Sequence, residues 1–483
     1  MNSPSFVALA ATFQRAQTSV AWRKQCVADS LKMQQAAVEG SEFSAENFLA
    51  TDFCTAFLQH TYPLMKVGER SANVERCIAF VCAAVLAWDK PVVTEGQEAA
   101  PVPETGRPVP FASAFVSHLL SLSKANSPAV RFRTCQMVAN IVNGLPEDAD
   151  IEELWDPIVA AMLERTKDTS VQARVFAITS LKRLHEPGDT KDKATQEFQF
   201  LMRCDSSAQV RLAALNNVGI SRVTLVDVLR SLRDKQEKVR VQAFSVLNDC
   251  VSINHLTLDQ RMEILTAGMS DRSPVVQKAC RKMITKSWFK QKSHDPEKLL
   301  QALDVQSSEI CESLALGVAQ SLIIAAFTEK DGLMDQIGRD RTREYEVYQA
   351  DLSPEAALFW RAQCEIFEGK SSFADELKIS EDQRDAKLEA LVGALVQFCD
   401  RIEKVWKVAC AKSGDTEDNE EDDVAELLGE MDMDDSSDEE IDAPLGTRGS
   451  VLSQQSTGHI DEDMAATQEF VCRQLLLTAR SFD

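Results

Sequence analysis

Short polar turns followed by hydrophobic residues at helical spacing recur along the middle of this chain. A valine begins each hydrophobic stretch: Val130, Val171, Val210, Val239 and Val276. Successive valines are 41, 39, 29 and 37 residues apart, which is in or near the range of two-helix repeats. The pattern therefore predicts an array of similar helical hairpins.

The hydrophobic residues after each valine fall on one face of a helix. After Val239 they include Ala243 and Val246, which is the i, i+4, i+7 spacing of a helix with one buried face. Another helix precedes each turn, and in one of them Thr257 and Gln260 have the spacing of a capping box. A single hairpin cannot bury its hydrophobic face, whereas stacked hairpins can. The sequence therefore predicts an all-α fold, an α-solenoid of HEAT-type helical hairpins.

Aspartates and arginines cluster at the predicted turns. Three aspartates stand five residues before their valine: Asp205, Asp234 and Asp271. Three arginines directly follow theirs: Arg131, Arg211 and Arg240. In one interpretation the aspartate caps the second helix and pairs with an arginine of its own or the next repeat, which fixes the stacking angle. In the other, arginines on equivalent faces of stacked repeats line a binding surface. The residues alone leave both interpretations open.

Changes in composition divide the chain further. Residues 89–110 are rich in Pro and Gly without a helical period, and Asp415–Asp442 contains 16 acidic and no basic residues. The first composition indicates a flexible segment and the second a disordered one. We therefore predict five regions: N-terminal HEAT helices over 1–88, a flexible insertion over 89–110, a HEAT-repeat solenoid over 111–410, an acidic disordered linker over 411–464, and the start of a truncated C-terminal helical domain over 465–483.

The distribution of charge changes the picture that the net charge of −23 gives. Residues 413–483 carry 21 acidic and 3 basic side chains, whereas residues 203–292 carry 16 basic and 8 acidic ones. The average thus conceals a basic block and an acidic tail. A basic strip of this kind would hold phosphates without sequence preference.

The cysteines, histidines and apolar stretches indicate no further chemistry. The chain has 13 Cys and 6 His, without a C-x-x-C pair or zinc-ligand spacing, and most cysteines lie in apolar helical runs, as expected of buried thiols in a reducing compartment. Among these are Cys77, Cys82, Cys135, Cys250 and Cys280. The apolar stretch Cys77–Trp88 is too short to span a bilayer, and no secretory signal is recognisable. We expect a soluble intracellular protein without membrane contact.

Enzymatic motifs are incomplete. The "GKSS" at Gly369 resembles the end of a phosphate-binding loop, but Cys364 stands where that loop has glycine, and the "HEPGD" at His185 lacks the second histidine of a metalloprotease helix. We predict no enzyme activity, no metal, no cofactor and no small-molecule substrate. The function should be binding.

Several segments resemble the family of condensin complex subunit 3, also called chromosome-associated protein G. The resemblance is most specific over Val210–Phe289, in "RDKQEKVR", in "LDQRMEILTAGMSDRSPVVQKA" and in the closing "SW". Further similar segments are Glu69–Phe80, Val130–Val142, Leu352–Glu365 ("LSPEAALFWRAQCE") and Thr467–Asp483. The family normally continues beyond this point into another helical domain, so the resemblance implies a truncated or shortened member.

The resemblance implies a function that the residues alone do not give. In this family the HEAT array binds a segment of the kleisin subunit, and together they hold double-stranded DNA in a positively charged groove without reading its sequence. The SMC ATPase pair, attached through the kleisin, supplies the motor. A member would therefore support mitotic chromosome condensation, in the nucleus and on mitotic chromosomes, and in the cytoplasm for part of the cell cycle.

Candidate DNA-binding residues are basic side chains that we place on the second helices and their turns, together with two in the N-terminal helices that match the family's basic residues there. They are Lys66, Arg70, Arg211, Arg222, Arg230, Arg233, Lys235, Arg240, Lys278, Arg281 and Lys282.

Two further hypotheses come from the sequence. The chain could instead be a HEAT scaffold that binds only proteins, such as a transport or phosphatase-type adaptor, with basic residues that merely balance carboxylates. In addition, Ser436 and Ser437 are flanked by carboxylates, the setting that acidophilic kinases prefer, and the acidic segment around them could compete with DNA for the basic surface.

Overall fold

The computed structural model describes residues 4–38, 51–89, 107–328, 353–370, 377, 380–389, 466–467 and 469–477. In this part of the chain, regular structure is helical except for a parallel pair of two-residue strands, β1 (Arg107–Pro108) and β2 (Ala149–Asp150). The all-α prediction is confirmed. Most of the predicted acidic linker, with Ser436 and Ser437, lies outside the described residues.

The helices follow one another with short connections. They are α1 (Pro4–Thr18), α2 (Arg23–Val38), α3 (Asp52–Met65), α4 (Ala72–Trp88), α5 (Pro110–Leu122), α6 (Pro128–Gly144), α7 (Glu152–Arg165), α8 (Val171–Ser180), α9 (Lys193–Cys204), α10 (Ala208–Asn217), α11 (Arg222–Ser231), α12 (Glu237–Cys250), α13 (Leu258–Met269), α14 (Pro274–Met283), α15 (Pro296–Gln301), α16 (Glu309–Thr328) and α17 (Pro354–Phe367). Helix α14 continues through a π-helical turn over Ile284–Trp288. Short 3₁₀ turns cover Val20–Trp22, Leu181–Arg183 and Ile253–His255, and residues 381–389 and 469–477 are also helical.

The chain divides into two compact units. The first consists of Met1–Val251 and Ser270–Cys280, and the second of Ser252–Met269 and Arg281–Asp483. Neither boundary coincides with those predicted from composition, which remain predictions.

In the first unit, successive hairpins stack in two layers. The first helices α5, α7, α9 and α11 pack side by side in one layer, and the second helices α6, α8, α10 and α12 in the other. The layers meet at apolar residues such as Val210 and Val239, which are fully or almost fully buried. This arrangement is the predicted stack of helical hairpins, because each hairpin buries its hydrophobic face against its neighbours.

Polar caps begin the helices where the sequence predicts turns. The Thr257 and Gln260 pair forms the predicted reciprocal cap, since the Gln260 N–H donates to Thr257 Oγ1 at 3.3 Å and the Thr257 N–H donates to Gln260 Oε1 at 3.0 Å. In α8 the N-cap is Ser170, so the residue equivalent to Val210 is Ala173 and not Val171. The predicted alignment of that repeat was therefore wrong by two residues.

Helix α16 is the central helix of the second unit. Its segment Glu309–Phe327 is apolar and long enough to cross a membrane by length and composition, but 61% of its most apolar window is buried inside the protein. It packs against α13, α15 and α17, which is the environment of a core helix in a helical protein.

The predicted insertion leaves and re-enters the first unit at one place. The Asp89 carboxylate accepts hydrogen bonds from the Phe111 N–H at 2.9 Å and the Ala112 N–H at 2.8 Å, and so satisfies the start of α5. Residues 90–106, between these two points, lie outside the described residues.

Most of the cysteines are buried, as predicted. Burial raises the pKa of Cys82 to about 12, so its thiol stays protonated and unreactive. Cys250 differs from the prediction because its side chain is exposed at the end of α12.

Candidate nucleic-acid interface

A series of arginine–aspartate pairs, which we call the ladder, connects successive second helices of the first unit. Each arginine lies near the start of one second helix and pairs with an aspartate in the turn before the next one. The pairs are Arg131–Asp168, Arg174–Asp205, Arg211–Asp234 and Arg240–Asp271. The ladder therefore fixes neighbouring turns to one another.

The Arg211–Asp234 pair shows the geometry of the ladder. Arg211 Nε lies 2.6 Å from Asp234 Oδ2 and Nη2 lies 2.8 Å from Oδ1, a bidentate arrangement. Arg211 Nη1 also donates to the Asp205 carbonyl of its own turn at 2.8 Å. In the α13–α14 turn, Gln277 Nε2 takes the same place and donates to the Asp271 carbonyl at 2.7 Å.

The ladder aspartates are ionised and well satisfied. Burial alone would raise the pKa of Asp234, but hydrogen bonds from Arg211 and from the Gln236 N–H outweigh it and hold that pKa below its usual value. The side chains of Arg211 and Asp234 are only 5% and 9% exposed. Both charges are thus neutralised inside the protein.

This geometry decides between the two interpretations of the turn arginines. Arginine and aspartate pair between neighbouring repeats, as the structural interpretation predicts. The aspartate does not cap the helix itself, because the N-cap of α10 is Ser207, whose N–H donates to Asp205 Oδ1 at 2.8 Å. Arg211 and Arg240 are buried in these pairs and are not available to phosphates. We therefore remove both from the candidate DNA-binding residues.

A buried arginine brings the α3–α4 turn to the same side of the unit. Arg133, near the start of α6, is fully buried and donates from Nε to the Val67 carbonyl at 2.9 Å and from Nη1 to Glu75 Oε1 at 2.7 Å. The neighbouring Arg70 pairs with Glu75 at 3.2 Å and lies 5.7 Å from the centre of the Phe176 ring in α8. The turn with Lys66 and Arg70 is thus held beside the second helices.

We call the side on which these turns lie the turn edge. It comprises the α3–α4, α5–α6, α7–α8, α9–α10 and α11–α12 turns, with Ser270–Cys280 and the residues within five of each turn. Its exposed basic residues are Lys66, Arg70, Lys124, Lys167, Arg203, Arg230, Arg233, Lys235, Lys238, Arg272 and Lys278. Its exposed acidic residues are Glu69, Glu164 and Glu237. The turn edge is therefore strongly positive.

The sequence-predicted candidates are only partly assembled on this surface. Those on the turn edge are Lys66, Arg70, Arg230, Arg233, Lys235 and Lys278. Arg222 lies at the opposite end of α11 from the turn. Because α11 is the first helix of its hairpin, the placement of Arg222 and Arg230 on a second helix was wrong. Arg281 and Lys282 belong to the second unit.

Sequence reasoning missed four exposed cations of the turn edge. They are Lys124, Lys167, Arg203 and Arg272. Each stands within or just before the polar turn that precedes a repeat, so the turn motif itself was a signal for them. Arg203 additionally pairs with Asp227, with Nη2 2.7 Å from Oδ2.

The described residues offer no metal centre, because no group of three His, Cys, Asp or Glu side chains lies close enough together in them. His185 has a structural role in the first unit: its Nε2 accepts the Gly219 N–H at 2.8 Å, and its Nδ1 lies 3.1 Å from the Leu181 carbonyl. These contacts fix the neutral imidazole between two successive repeats.

The fold and this surface define a class: a HEAT-type α-solenoid with a basic edge. No protein-family profile matches the chain. Condensin complex subunit 3 of Homo sapiens is 30% identical over 328 residues, which are 68% of this chain and 31% of that protein. The Xenopus laevis protein of the same name is 31% identical over 333 residues, which are 68% of this chain and 30% of that protein.

The solved structures agree with this result at the level of fold. The structure described as the S. pombe condensin Cnd3–Cnd2 subcomplex aligns with a TM-score of 0.63 at 19% identity, over 97% of this chain and 48% of the matched one. The chain is a relative of the condensin subunit 3 family, and the resemblance predicted from its motifs is confirmed. It is a non-catalytic HEAT-repeat protein that spans about a third of the length of these relatives.

Proposed function

We propose that this chain is the HEAT subunit of a condensin complex and holds double-stranded DNA along its turn edge, without reading the base sequence. Through a kleisin segment it would connect to the SMC ATPase pair and support mitotic chromosome condensation. Its place of action would be the nucleus and mitotic chromosomes, with a cytoplasmic pool for part of the cell cycle.

The observation that carries the proposal is the excess of exposed cations over exposed carboxylates on the turn edge. Phosphate contacts dominate the affinity of non-specific DNA binding, and they require lysine and arginine rather than base-reading groups. Helices in contact lie about 8–10 Å apart, so the turns distribute these cations over roughly 40 Å or more. This length exceeds one turn of duplex DNA, which is about 34 Å.

The ladder supports the proposal indirectly. It neutralises the aspartates of the turns, which would otherwise repel phosphates beside Lys167, Lys235 and Arg272. Because these carboxylates are buried in ion pairs, the exposed charge of the turn edge is mainly basic. The pairs also fix the turns relative to one another, so the cations are held in register before DNA arrives.

Kleisin binding rests on a different observation. The S. pombe relative of this fold has been solved as a Cnd3–Cnd2 subcomplex, which supports a partner chain of the kleisin type here. Co-purification of the full chain with a kleisin segment, in 300 mM salt to suppress charge effects, tests this part separately. Failure to co-purify would contradict it without affecting the DNA proposal.

The DNA proposal is tested by removing three turn-edge lysines. If about six phosphates are neutralised, the slope of log K against log salt should be about −5 for a 30-base-pair duplex, and Lys167→Gln, Lys235→Gln and Lys238→Gln together should bring it to roughly −2 to −3, since each contact contributes about −0.9. Fluorescence anisotropy between 50 and 200 mM salt measures the slope.

A matched control removes three exposed lysines away from the turn edge: Lys182→Gln, Lys191→Gln and Lys193→Gln. This variant loses the same charge and should keep the slope within about 0.5 of the parent. Equal losses in both variants would contradict a defined site. The absence of duplex binding at moderate salt would instead favour the scaffold that binds only proteins.

A further inference from the structure

The outer face of the first-helix layer carries apolar side chains that no neighbouring helix covers. Phe200 of α9 is 54% exposed and Val226 of α11 is 47% exposed. Isolated exposed apolar residues are ordinary, but an exposed pair rimmed by polar groups is typical of a protein-binding surface. The relative position of these two residues is therefore decisive.

Contacts between α9 and α11 place Phe200 and Val226 side by side. The Gln199 amide donates to the Val223 carbonyl at 3.1 Å and to Asp227 Oδ2 at 2.8 Å. Residue 199 of α9 is therefore level with the stretch between residues 223 and 227 of α11. Since Phe200 follows Gln199 and Val226 precedes Asp227, both exposed side chains lie at this level on the outer face.

Arginines frame the apolar pair on α11. Arg222, Val226 and Arg230 are four residues apart, so they lie on one face of the helix at intervals of about 6 Å along its axis. Both arginines are exposed, and neither has an ion pair within the described part of the chain. Arg203 of α9, at the edge of this surface, already pairs with Asp227, and Asp227 is buried. The exposed charge around the apolar pair is thus positive.

We propose that the surface formed by Phe200, Arg222, Val226 and Arg230 binds an acidic segment of a partner protein that also carries hydrophobic residues. Aromatic and arginine side chains are the residues enriched in protein interfaces. Apolar anchors would bury Phe200 and Val226, while carboxylates on both sides would meet the arginines. Duplex DNA has no apolar group that requires Phe200, which distinguishes this surface from the turn edge. The inference is independent of the proposed DNA binding.

A designed peptide tests the inference on the full chain. The probe is a fluorescein-labelled peptide of Asp and Glu with leucines at helical spacing, and its binding is measured by fluorescence anisotropy in 100 mM salt. Two control peptides replace the leucines with serine, or the carboxylates with their amides. We expect both controls to bind at least about tenfold more weakly, because both halves of the recognition are needed.

Variants of the chain locate the site. Phe200→Ser with Val226→Ser should weaken binding of the probe at least about tenfold, and Arg222→Gln with Arg230→Gln should weaken it similarly and reduce its salt dependence. The control is Val7→Ser, an equally exposed valine of α1 (61%), which should change the affinity less than twofold. Thermal unfolding followed by circular dichroism verifies that each variant is folded.

Three results would overturn the inference. The first is a probe affinity that the Phe200→Ser and Val226→Ser changes leave unaltered. The second is no binding of the probe to the parent chain at 100 μM protein. The third is a loss of duplex DNA binding in the same double variant, which would assign this face to DNA instead.

Discussion

Replacing Arg211 with methionine tests the role that the structure gives to the ladder. Methionine retains most of the aliphatic stem, so packing changes little, but it removes the guanidinium that pairs with Asp234. Asp234 is then left 9% exposed without its cation, and the Asp205 carbonyl loses its donor. Removing one partner of a buried ion pair costs about 3–5 kcal/mol. We expect the free energy of unfolding of the first unit to fall by about 3 kcal/mol.

Urea unfolding followed by circular dichroism measures this change. In thermal unfolding, about 3 kcal/mol corresponds to a Tm lower by roughly 6–12 °C for a unit of this size. Arg222→Met is the control, because Arg222 is exposed without an ion pair in the described ranges, and its effect should stay within about 0.5 kcal/mol. Adding Asp234→Asn to Arg211→Met should restore about 1–3 kcal/mol, because the unpaired buried charge is removed.

The same variant separates stability from DNA binding. Because Arg211 is buried in the ladder, the salt slope of duplex binding should be unchanged at temperatures where the variant is folded. A slope reduced by about one unit would mean that Arg211 contacts a phosphate. An unchanged urea midpoint would refute the stabilising role of the ladder.

The pH dependence of the ladder follows from the pKa of its aspartates. In the folded protein the pKa of Asp234 lies below its usual value, so the ion pair contributes stability above about pH 4. That contribution should be lost as the pH falls through the folded pKa. In Arg211→Met, the pH dependence below pH 4 should therefore be smaller than in the parent.

Two further predictions concern other buried carboxylates. Burial raises the pKa of Asp89 to about 6 in spite of its hydrogen bonds to Ala112 and Phe111, so its contribution is fully present below about pH 4 and is lost as the pH rises through 6; Asp89→Asn should flatten the change of Tm between pH 4 and 7, and an unaltered profile would contradict this. In the second unit, Glu312 accepts from Arg361 at 3.1 Å and from Gln474 at 2.8 Å and pairs with Arg473. Glu312→Gln should therefore speed hydrogen exchange over 469–477 at least about tenfold, whereas exposed Glu309→Gln should not.

The sequence predicted the helical repeats because two independent signals coincide at each turn. At Val210 and Val239 a polar turn precedes a residue that is buried, and a helical stripe follows. In the second repeat the buried position is Ala173, while Val171 is the first residue of α8. The larger hydrophobic residue attracted the alignment, although the small one packs between the layers.

The role of the arginines was beyond prediction from sequence for a geometric reason. Arg240 can reach Asp271 only because the next hairpin returns beside it, and the two residues are 31 positions apart along the chain. The equivalent separation for Arg211 and Asp234 is 23, so no fixed spacing announces the ladder. The contact between Glu312 and Gln474 joins residues 162 positions apart, which no local pattern encodes.

The location of bound DNA tests the central claim most directly. A photo-reactive amino acid is placed at Ser206, exposed on the turn edge, or at Thr190, exposed between α8 and α9 away from that edge, and irradiated with a labelled duplex. The account predicts strong cross-linking from position 206 and little from position 190. Cross-linking from position 190 with none from position 206 would contradict it.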